Sequence, residues 1–334
     1  MHNRRARPTL RLLEEDLTDG WGSAGPRRAL ADGRHADLHP LSELPHPLVT
    51  KAAQCFGPHD ADDNYVGQIT SATRVRLLEI KTAQWRGGVW QDPRSGVCWL
   101  VVGGLAKGNH QDRDDFYERI KRENASGDPE SWLPTEADDR LLKRETAARI
   151  RTDWELETQR LLAVALARVC SGGTDRITIH HPMPDQGMLA EVGLSVVSVR
   201  EVDYEADEIE VEITPDSRYE GTHLFWALAL RLLVSIHPPE QGWDRFRHTF
   251  SNIAEPGAFT RRADELARLV ENNDLAVPEP GATGHYTHRE HLAGKSVRGE
   301  AVRALCGVYF VPTQDHEALP ACVTCADRLA DLPS

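Results

Sequence analysis

The order of apolar and polar positions predicts strands and helices along most of this 334-residue chain. Between residues 74 and 82, apolar and charged side chains alternate, which predicts a strand. Two apolar runs flank the turn sequence at 92–96, and they predict a hairpin whose second strand covers 97–105. Apolar residues at helical spacing predict a long helix from near Thr135 to about Val169.

The second half of the chain carries the same two kinds of pattern, so the predicted fold class is α+β, with several domains. Strand 208–214 alternates Ile and Val with Glu208, Glu210 and Glu212, as a half-exposed strand does, and we interpret it as a solvated edge strand. Further strands are predicted at 176–181 and 194–204, and further helices at 112–124, 222–236 and 258–273.

Changes in composition divide the chain into five predicted segments. Residues 1–48 are rich in Pro, Gly, Arg and Asp and lack periodicity, which predicts little order beyond a short helix. A compact α/β module is predicted at 49–128, and an α+β middle domain with the long helix at 129–274. A linker at 275–284 and a small cysteine-bearing domain at 285–334 complete the division.

Composition argues against several functional classes. The formal net charge is −13, which disfavours a protein that wraps a nucleic-acid duplex, because such binding depends on many cationic contacts with phosphate. No apolar run reaches the roughly 18–20 residues of a membrane-spanning helix, so no membrane partner is expected. The first residues lack the pattern of a secretion signal, and the six cysteines do not suggest a disulfide framework. These features favour a cytoplasmic location.

Three cysteines near the end of the chain predict a zinc site. Cys322 and Cys325 form a C-x2-C pair, whose two thiolates on one tight turn can share a zinc ion at about 2.3 Å per Zn–S bond. Cys306 lies upstream, directly before a glycine. Tetrahedral zinc takes four ligands, and we expect a nearby histidine to supply the fourth. The candidates are His285, His288, His291 and His316.

Residues 284–330 resemble a family of small, mostly actinobacterial proteins of unknown function. The shared pattern is HY, then ALCG, then VP, then C-x2-C, and it corresponds here to His285-Tyr286, 304–307, 311–312, and Cys322 with Cys325. The resemblance implies a Cys3His zinc ribbon whose fourth ligand is His285. A site with four protein ligands is closed, so this zinc would be structural. The family implies no enzymatic activity.

Residues 73–122 resemble the core of RelE/HigB-type ribosome-associated toxins. In those proteins a charged strand leads to an aromatic–Arg strand, then to an apolar strand that ends in lysine, and then to a helix. Trp85-Arg86 takes the aromatic–Arg position here. The resemblance implies metal-independent RNA cleavage, in which cations stabilise the phosphate and a general base activates a 2′-hydroxyl. The candidate catalytic residues are Arg76, Lys81, Arg86, Lys107, His110 and Tyr117.

Two histidines at the end of a predicted strand form a weaker candidate. His180 and His181 are followed by Asp185. Adjacent side chains of a strand point to opposite faces, so the two imidazoles cannot easily share one ion. We therefore interpret them as loop-capping or packing residues.

Two hypotheses of function follow. In the first, the protein acts on RNA or the ribosome, as a toxin-like protein of phage defence or stress response, and the zinc ribbon recruits RNA or a protein partner. In the second, the protein is a non-enzymatic scaffold or regulatory protein whose zinc ribbon mediates protein contacts.

Overall fold

The chain divides into two units, Met1–Arg149 and Ile150–Ser334, in a computed structural model. Each unit contains helices and a five-stranded sheet, which confirms the α+β class. The finer domain boundaries inside these units stay predictions. The structure describes residues 5–107, 114–202, 205–237, 243–278, 283–288, 292, 302–310 and 319–332.

The first unit is built on a sheet with the strand order β1-β5-β4-β3-β2. Its strands are β1 (Arg7–Pro8), β2 (Gly67–Gln68), β3 (Leu78–Thr82), β4 (Trp85–Gln91) and β5 (Cys98–Leu105). Strand β1 runs parallel to β5, and the other neighbours are antiparallel. The predicted hairpin around 92–96 is confirmed. The strand predicted from residue 74 begins only at Leu78. At the predicted start, the N–H groups of Thr73 and Arg74 both donate to the Asn124 side chain instead of to a neighbouring strand.

Both faces of this sheet are covered within the first unit. The helices are α1 (Gly25–Ala31), α2 (Pro47–Cys55) and α3 (Phe116–Ser126). Leu78 and Leu100 belong to a core that also contains Leu48 of α2, whereas Trp99 belongs to a second core with Phe116 of α3. A strand covered on both faces is apolar throughout, and β5 follows this rule from Cys98 to Val102.

Residues 5–48 are more ordered than the sequence predicts. Leu12 and Leu13 lie in a short π-helix and are fully or almost fully buried in the core that α2 shares. The Arg7 side chain is buried as well, and it forms an ion pair with Glu145 at 3.3 Å. The segment lacks periodicity because its helices are single turns or little more, too short for a repeat to be visible.

The predicted long helix is confirmed as α4 (Glu136–Val169), and the division between the two units falls within it. Thr135 and Asp138 form a reciprocal capping box at its beginning. The N–H and the hydroxyl of Thr135 each donate to the Asp138 carboxylate at 2.7 Å, and the Asp138 N–H donates back to the Thr135 hydroxyl at 3.4 Å.

The second unit is built on an antiparallel sheet with the strand order β6-β7-β8-β10-β9. Cross-strand pairs such as Val192–Ile213 and Leu194–Val211 are buried under helices. The two helices predicted in this part of the chain are confirmed as α5 (His223–Ile236) and α6 (Ala258–Asn272). The strands are β6 (Gly173–His180), β7 (Met188–Arg200), β8 (Glu205–Pro215), β9 (Asp244–Phe246) and β10 (Thr249–Ala254).

The interpretation of residues 208–214 as an edge strand is wrong. Strand β8 lies inside the sheet, between β7 and β10. Glu210 and Glu212 are exposed on one face, while Ile209 and Val211 are buried on the other. The alternation of apolar and acidic residues therefore indicates that one face of the sheet is solvated. It does not indicate that the strand lies at an edge of the sheet.

The end of the chain adds a small two-stranded sheet and a helix to the second unit. These elements are β11 (Val302–Arg303), β12 (Tyr309–Phe310) and α7 (Val323–Ala330). Together with residues 283–288 and Leu292 they are called the terminal module below. None of the helices in the described parts of the chain is both long and apolar enough to cross a membrane.

Candidate functional site

The terminal module brings four potential metal ligands together. The ligand atoms of His285, Cys306, Cys322 and Cys325 all lie within 4.8 Å of one another. His285 Nδ1 is 3.4 Å from Cys306 Sγ and 3.7 Å from Cys325 Sγ. Ligands of a tetrahedral zinc are about 3.5–3.8 Å apart, given its usual bond lengths. The donor set and the spacing therefore fit a zinc ion.

The sequence ALCG places Cys306 on a tight turn between β11 and β12. The Ala304 N–H donates to the Val308 carbonyl at 2.7 Å, and the Gly307 N–H donates to the Ala304 carbonyl at 3.0 Å. Gly307 has φ +98°, in the region that side-chain-bearing residues rarely adopt. The glycine thus allows the turn that presents the Cys306 thiol.

Cys322 and Cys325 are presented by the first turn of α7. Cys322 is the residue at the N-terminal cap of this helix, and Cys325 follows three positions later. Residues three apart lie on the same face of a helix, so both thiols point to one side. The C-x2-C spacing is therefore explained by the helix, and Cys325 is fully buried.

Backbone hydrogen bonds fix the position of His285 relative to the cysteines. Gly284 donates its N–H to the Pro320 carbonyl at 2.9 Å and accepts from the Cys322 N–H at 2.8 Å. On the other side of His285, the Tyr286 carbonyl accepts from the Leu305 N–H at 2.8 Å. The histidine is thus held between the two cysteine-bearing segments.

Burial and hydrogen bonds shift the pKa values of three residues of the group in different directions. Burial lowers the pKa of His285, which favours the neutral imidazole that binds metal. Burial raises the pKa of the Cys306 thiol to about 12. Burial also acts to raise the pKa of Cys325, but hydrogen bonds with the backbone of Cys306 and Tyr286 and with the Cys306 and Cys322 side chains together outweigh it, and its pKa is lowered. A bound cation would replace the thiol protons.

The other candidate histidines have different outcomes. His288 is exposed and is not a member of the four-residue group. His291 and His316 lie outside the described residues. Of the two candidate histidines that the structure describes, His285 belongs to the four-residue group and His288 does not.

The terminal module also contacts helix α5. The Arg303 guanidinium lies over the Trp226 ring, 4.7 Å from its centroid, and the Arg245 guanidinium lies 4.5 Å from the same centroid. The Thr287 hydroxyl donates to the Arg303 carbonyl at 2.6 Å. Arg303 lies three residues before Cys306, so this contact connects the metal ligands to the body of the second unit.

Three of the six predicted catalytic residues meet on the first sheet. The Tyr117 hydroxyl of α3 donates to Glu79 Oε1 of β3, and Lys81 Nζ lies 3.3 Å from Glu79 Oε2. Arg86 of β4 is the cross-strand partner of Lys81. Burial raises the pKa of Tyr117, the bond to Glu79 adds to this, and a hydrogen bond with Arg86 opposes it. The four residues are called the Glu79 cluster below.

The remaining predicted residues have other surroundings. The Arg76 guanidinium faces the side-chain amide of Gln68 on β2. Lys107 is exposed after the end of β5, and its backbone N–H donates to the Asp115 carboxylate at 2.7 Å. His110 lies outside the described residues.

Glu79 itself was not among the predicted residues. It is mostly buried and is the carboxylate around which Tyr117 and Lys81 gather. A signal was present in the sequence, because Glu79 and Lys81 are two residues apart on a strand and therefore share a face.

Residues 279–332 match one family model, described as "Protein of unknown function (DUF3039)". The match contains all four residues of the metal group and supports the expected family of unknown function for the terminal segment alone. The chain matches none of the curated proteins and none of the solved structures with which it was compared. The resemblance to RelE/HigB-type toxins therefore gains no support from these comparisons.

Proposed function

We propose that the terminal module is a structural zinc ribbon in which His285, Cys306, Cys322 and Cys325 bind one Zn²⁺. The observation that carries this proposal is the convergence of one imidazole and three thiols within 4.8 Å. Thiolates and imidazole suit zinc, and four protein ligands leave no open position for a substrate. When bound, the metal supplies folding energy rather than reactivity.

We propose further that this ribbon serves protein contacts, in a protein that acts as a scaffold or regulator. Apolar side chains are exposed on and beside α7, whereas a surface that contacts only solvent would favour polar residues. Val323 is 74% exposed, and Leu329, Leu332 and Tyr286 are also exposed. These side chains would form the apolar part of such a contact.

Metal analysis of the purified full chain tests the zinc proposal. We expect about one zinc per chain in the wild type, and its loss in Cys322→Ser, because three ligands hold zinc poorly. His285→Cys should retain zinc, since it restores a four-ligand site. The matched controls are Cys170→Ser, which removes a half-exposed cysteine elsewhere in the unit, and His288→Ala. A well-folded wild-type protein that binds no zinc would refute the proposal.

A second candidate function is favoured by the Glu79 cluster. We propose that these residues act on RNA as a metal-independent site, as the toxin-like hypothesis requires. Glu79 would serve as general base, while Lys81 and Arg86 would stabilise charge on the phosphate. The support is that Tyr117 and Lys81 contact the Glu79 carboxylate, while Arg86 lies across from Lys81 and is hydrogen-bonded to Tyr117. The existing bonds among them are equally suited to a purely structural role, so this candidate ranks second.

Induced expression separates the two roles of the Glu79 cluster. If the cluster cleaves RNA, wild-type protein should arrest growth and fragment RNA, whereas Glu79→Gln and Arg86→Ala should not. Arg94→Ala is the matched control, because Arg94 is exposed at the turn of the same hairpin. Normal growth and intact RNA on induction of the wild type would contradict the RNA-acting function.

A further inference from the structure

A cavity of about 300 Å³ lies in the second unit, beside α4 and the end of β6. Its size is at the lower end of the range for small-molecule sites, about 300–1,000 Å³. Leu161 of α4 and Ile179 of β6 contribute apolar walls, and Trp154 contributes an aromatic one. None of the residues that line it belongs to the terminal module or to the Glu79 cluster.

Hydrogen bonds hold the wall of this cavity in place. The Trp154 indole N–H donates to the His180 carbonyl at 2.9 Å, so the ring is fixed against the end of β6. His181 Nδ1 accepts from the Met183 N–H at 2.9 Å, so this histidine caps the loop that follows β6. The aromatic surface is therefore organised before any ligand enters.

Thr158 supplies a polar atom without a partner. The residue is 1% exposed, it lines the cavity, and its hydroxyl makes no hydrogen bond within the described part of the chain. A buried hydroxyl without a partner costs about 1–3 kcal/mol, and such a group is expected to find a bound molecule or water. A ligand with a hydrogen-bonding group that reached this hydroxyl would remove that cost.

Two carboxylates give the cavity its charge. Glu157 is already paired with Arg160 one turn away. Asp153 also lines the cavity, and it forms no ion pair with any of the described residues. A carboxylate next to an aromatic ring is a suitable environment for an ammonium group, which both attract. The net charge of −13 favours the approach of cations.

We propose that this cavity binds a small organic amine, with its ammonium group at Asp153 and Trp154, its apolar body against Leu161 and Ile179, and a second polar group at Thr158. The class of ligand follows from the three kinds of wall. Anionic ligands are disfavoured, because the charged side chains that line the cavity are acidic.

Tyramine and two analogues test the proposal by titration calorimetry on the full chain. Tyramine carries both an ammonium and a hydroxyl, 4-hydroxyphenylethanol lacks the ammonium, and phenethylamine lacks the hydroxyl. We expect wild-type protein to prefer tyramine over 4-hydroxyphenylethanol by about tenfold, the effect of about 1.4 kcal/mol. Asp153→Asn should remove that preference, and Thr158→Val should remove the preference for tyramine over phenethylamine.

Asp264→Asn is the matched control, because Asp264 is exposed on α6 of the same unit. It should leave all three affinities unchanged. Circular dichroism establishes that each variant is folded, and Thr158→Val should be at least as stable as wild type without ligand, because it removes an unsatisfied hydroxyl. Absence of saturable tyramine binding, or an unchanged preference in Asp153→Asn, would overturn the proposal.

Discussion

At the scale of single residues, Asp207 shows how one buried carboxylate joins separate parts of the second unit. Its Oδ1 accepts from the Ser198 hydroxyl and from Arg200 Nη2, both at 2.8 Å. Its Oδ2 accepts from the Gly257 N–H at 2.6 Å, at the beginning of α6. The carboxylate thus connects the β7–β8 hairpin to a helix.

The pH dependence of stability follows from these bonds. Burial acts to raise the pKa of Asp207, but the hydrogen bonds from Arg200, Gly257 and Ser198 outweigh it, and the pKa is lowered. The stabilisation is therefore present above the unfolded-state pKa of about 3.9 and is lost as pH falls through the lower folded-state value. Asp207→Asn should cost about 1–3 kcal/mol at pH 7 and less as the pH falls.

Urea denaturation between pH 7 and pH 3 measures this effect. The control is Asp264→Asn, an exposed carboxylate that should change stability by no more than about 0.5 kcal/mol. A difference between wild type and Asp207→Asn that stays constant across this pH range would contradict the assignment.

At the scale of elements, helix α4 depends on how its first turn is capped. Asp138 closes the capping box with Thr135, and its Oδ1 also accepts from the Leu10 N–H at 2.7 Å. The same carboxylate therefore stabilises a helix end and fixes the N-terminal segment of the first unit. A residue with two roles should be more sensitive to substitution than its partner in the box.

Two substitutions separate these roles. Thr135→Ala removes part of the box and should cost about 1 kcal/mol. Asp138→Ala also leaves the buried Leu10 N–H without its acceptor and should cost about 1–3 kcal/mol more. Thr146→Ala, within the same helix, is the control and should be neutral or slightly stabilising, because Ala favours helix. Equal losses for Thr135→Ala and Asp138→Ala in chemical denaturation would argue against the second role.

At the scale of the whole molecule, the terminal module has little core of its own. Among its described residues, the buried apolar side chains are Val302, Ala304 and Cys325. Such a small core cannot by itself offset the entropy of ordering the chain, and small domains of this kind commonly depend on a metal. The two five-stranded sheets have larger cores and need no such support.

Chelation should therefore unfold the terminal module selectively. On removal of zinc we expect amide protection to be lost at 302–310 and 319–332 and to persist in β5 and β7. Hydrogen exchange measures this directly, and the Cys170→Ser variant should respond as wild type does. If chelator changed protection equally throughout the chain, or nowhere, the structural role of the metal would be wrong.

Local chemistry in the sequence determined several features without help from the fold. The hairpin around 92–96, the capping box at Thr135 and the long helix all depend on neighbours a few residues apart, and each is confirmed. The metal group was found in the same way, because C-x2-C reports two ligands on one turn. His285, however, was selected among several histidines by resemblance.

Only the tertiary structure decided which distant segments of the chain pair or pack with one another. Residues 5–48 carry no visible repeat, yet they are ordered by pairing with β5 and by burial in the core of the first unit. Strand β8 is internal because β10 pairs with it, and Glu79 became part of a cluster because α3 places Tyr117 above it. Such contacts depend on burial between segments far apart in the chain, which local patterns of residues do not encode.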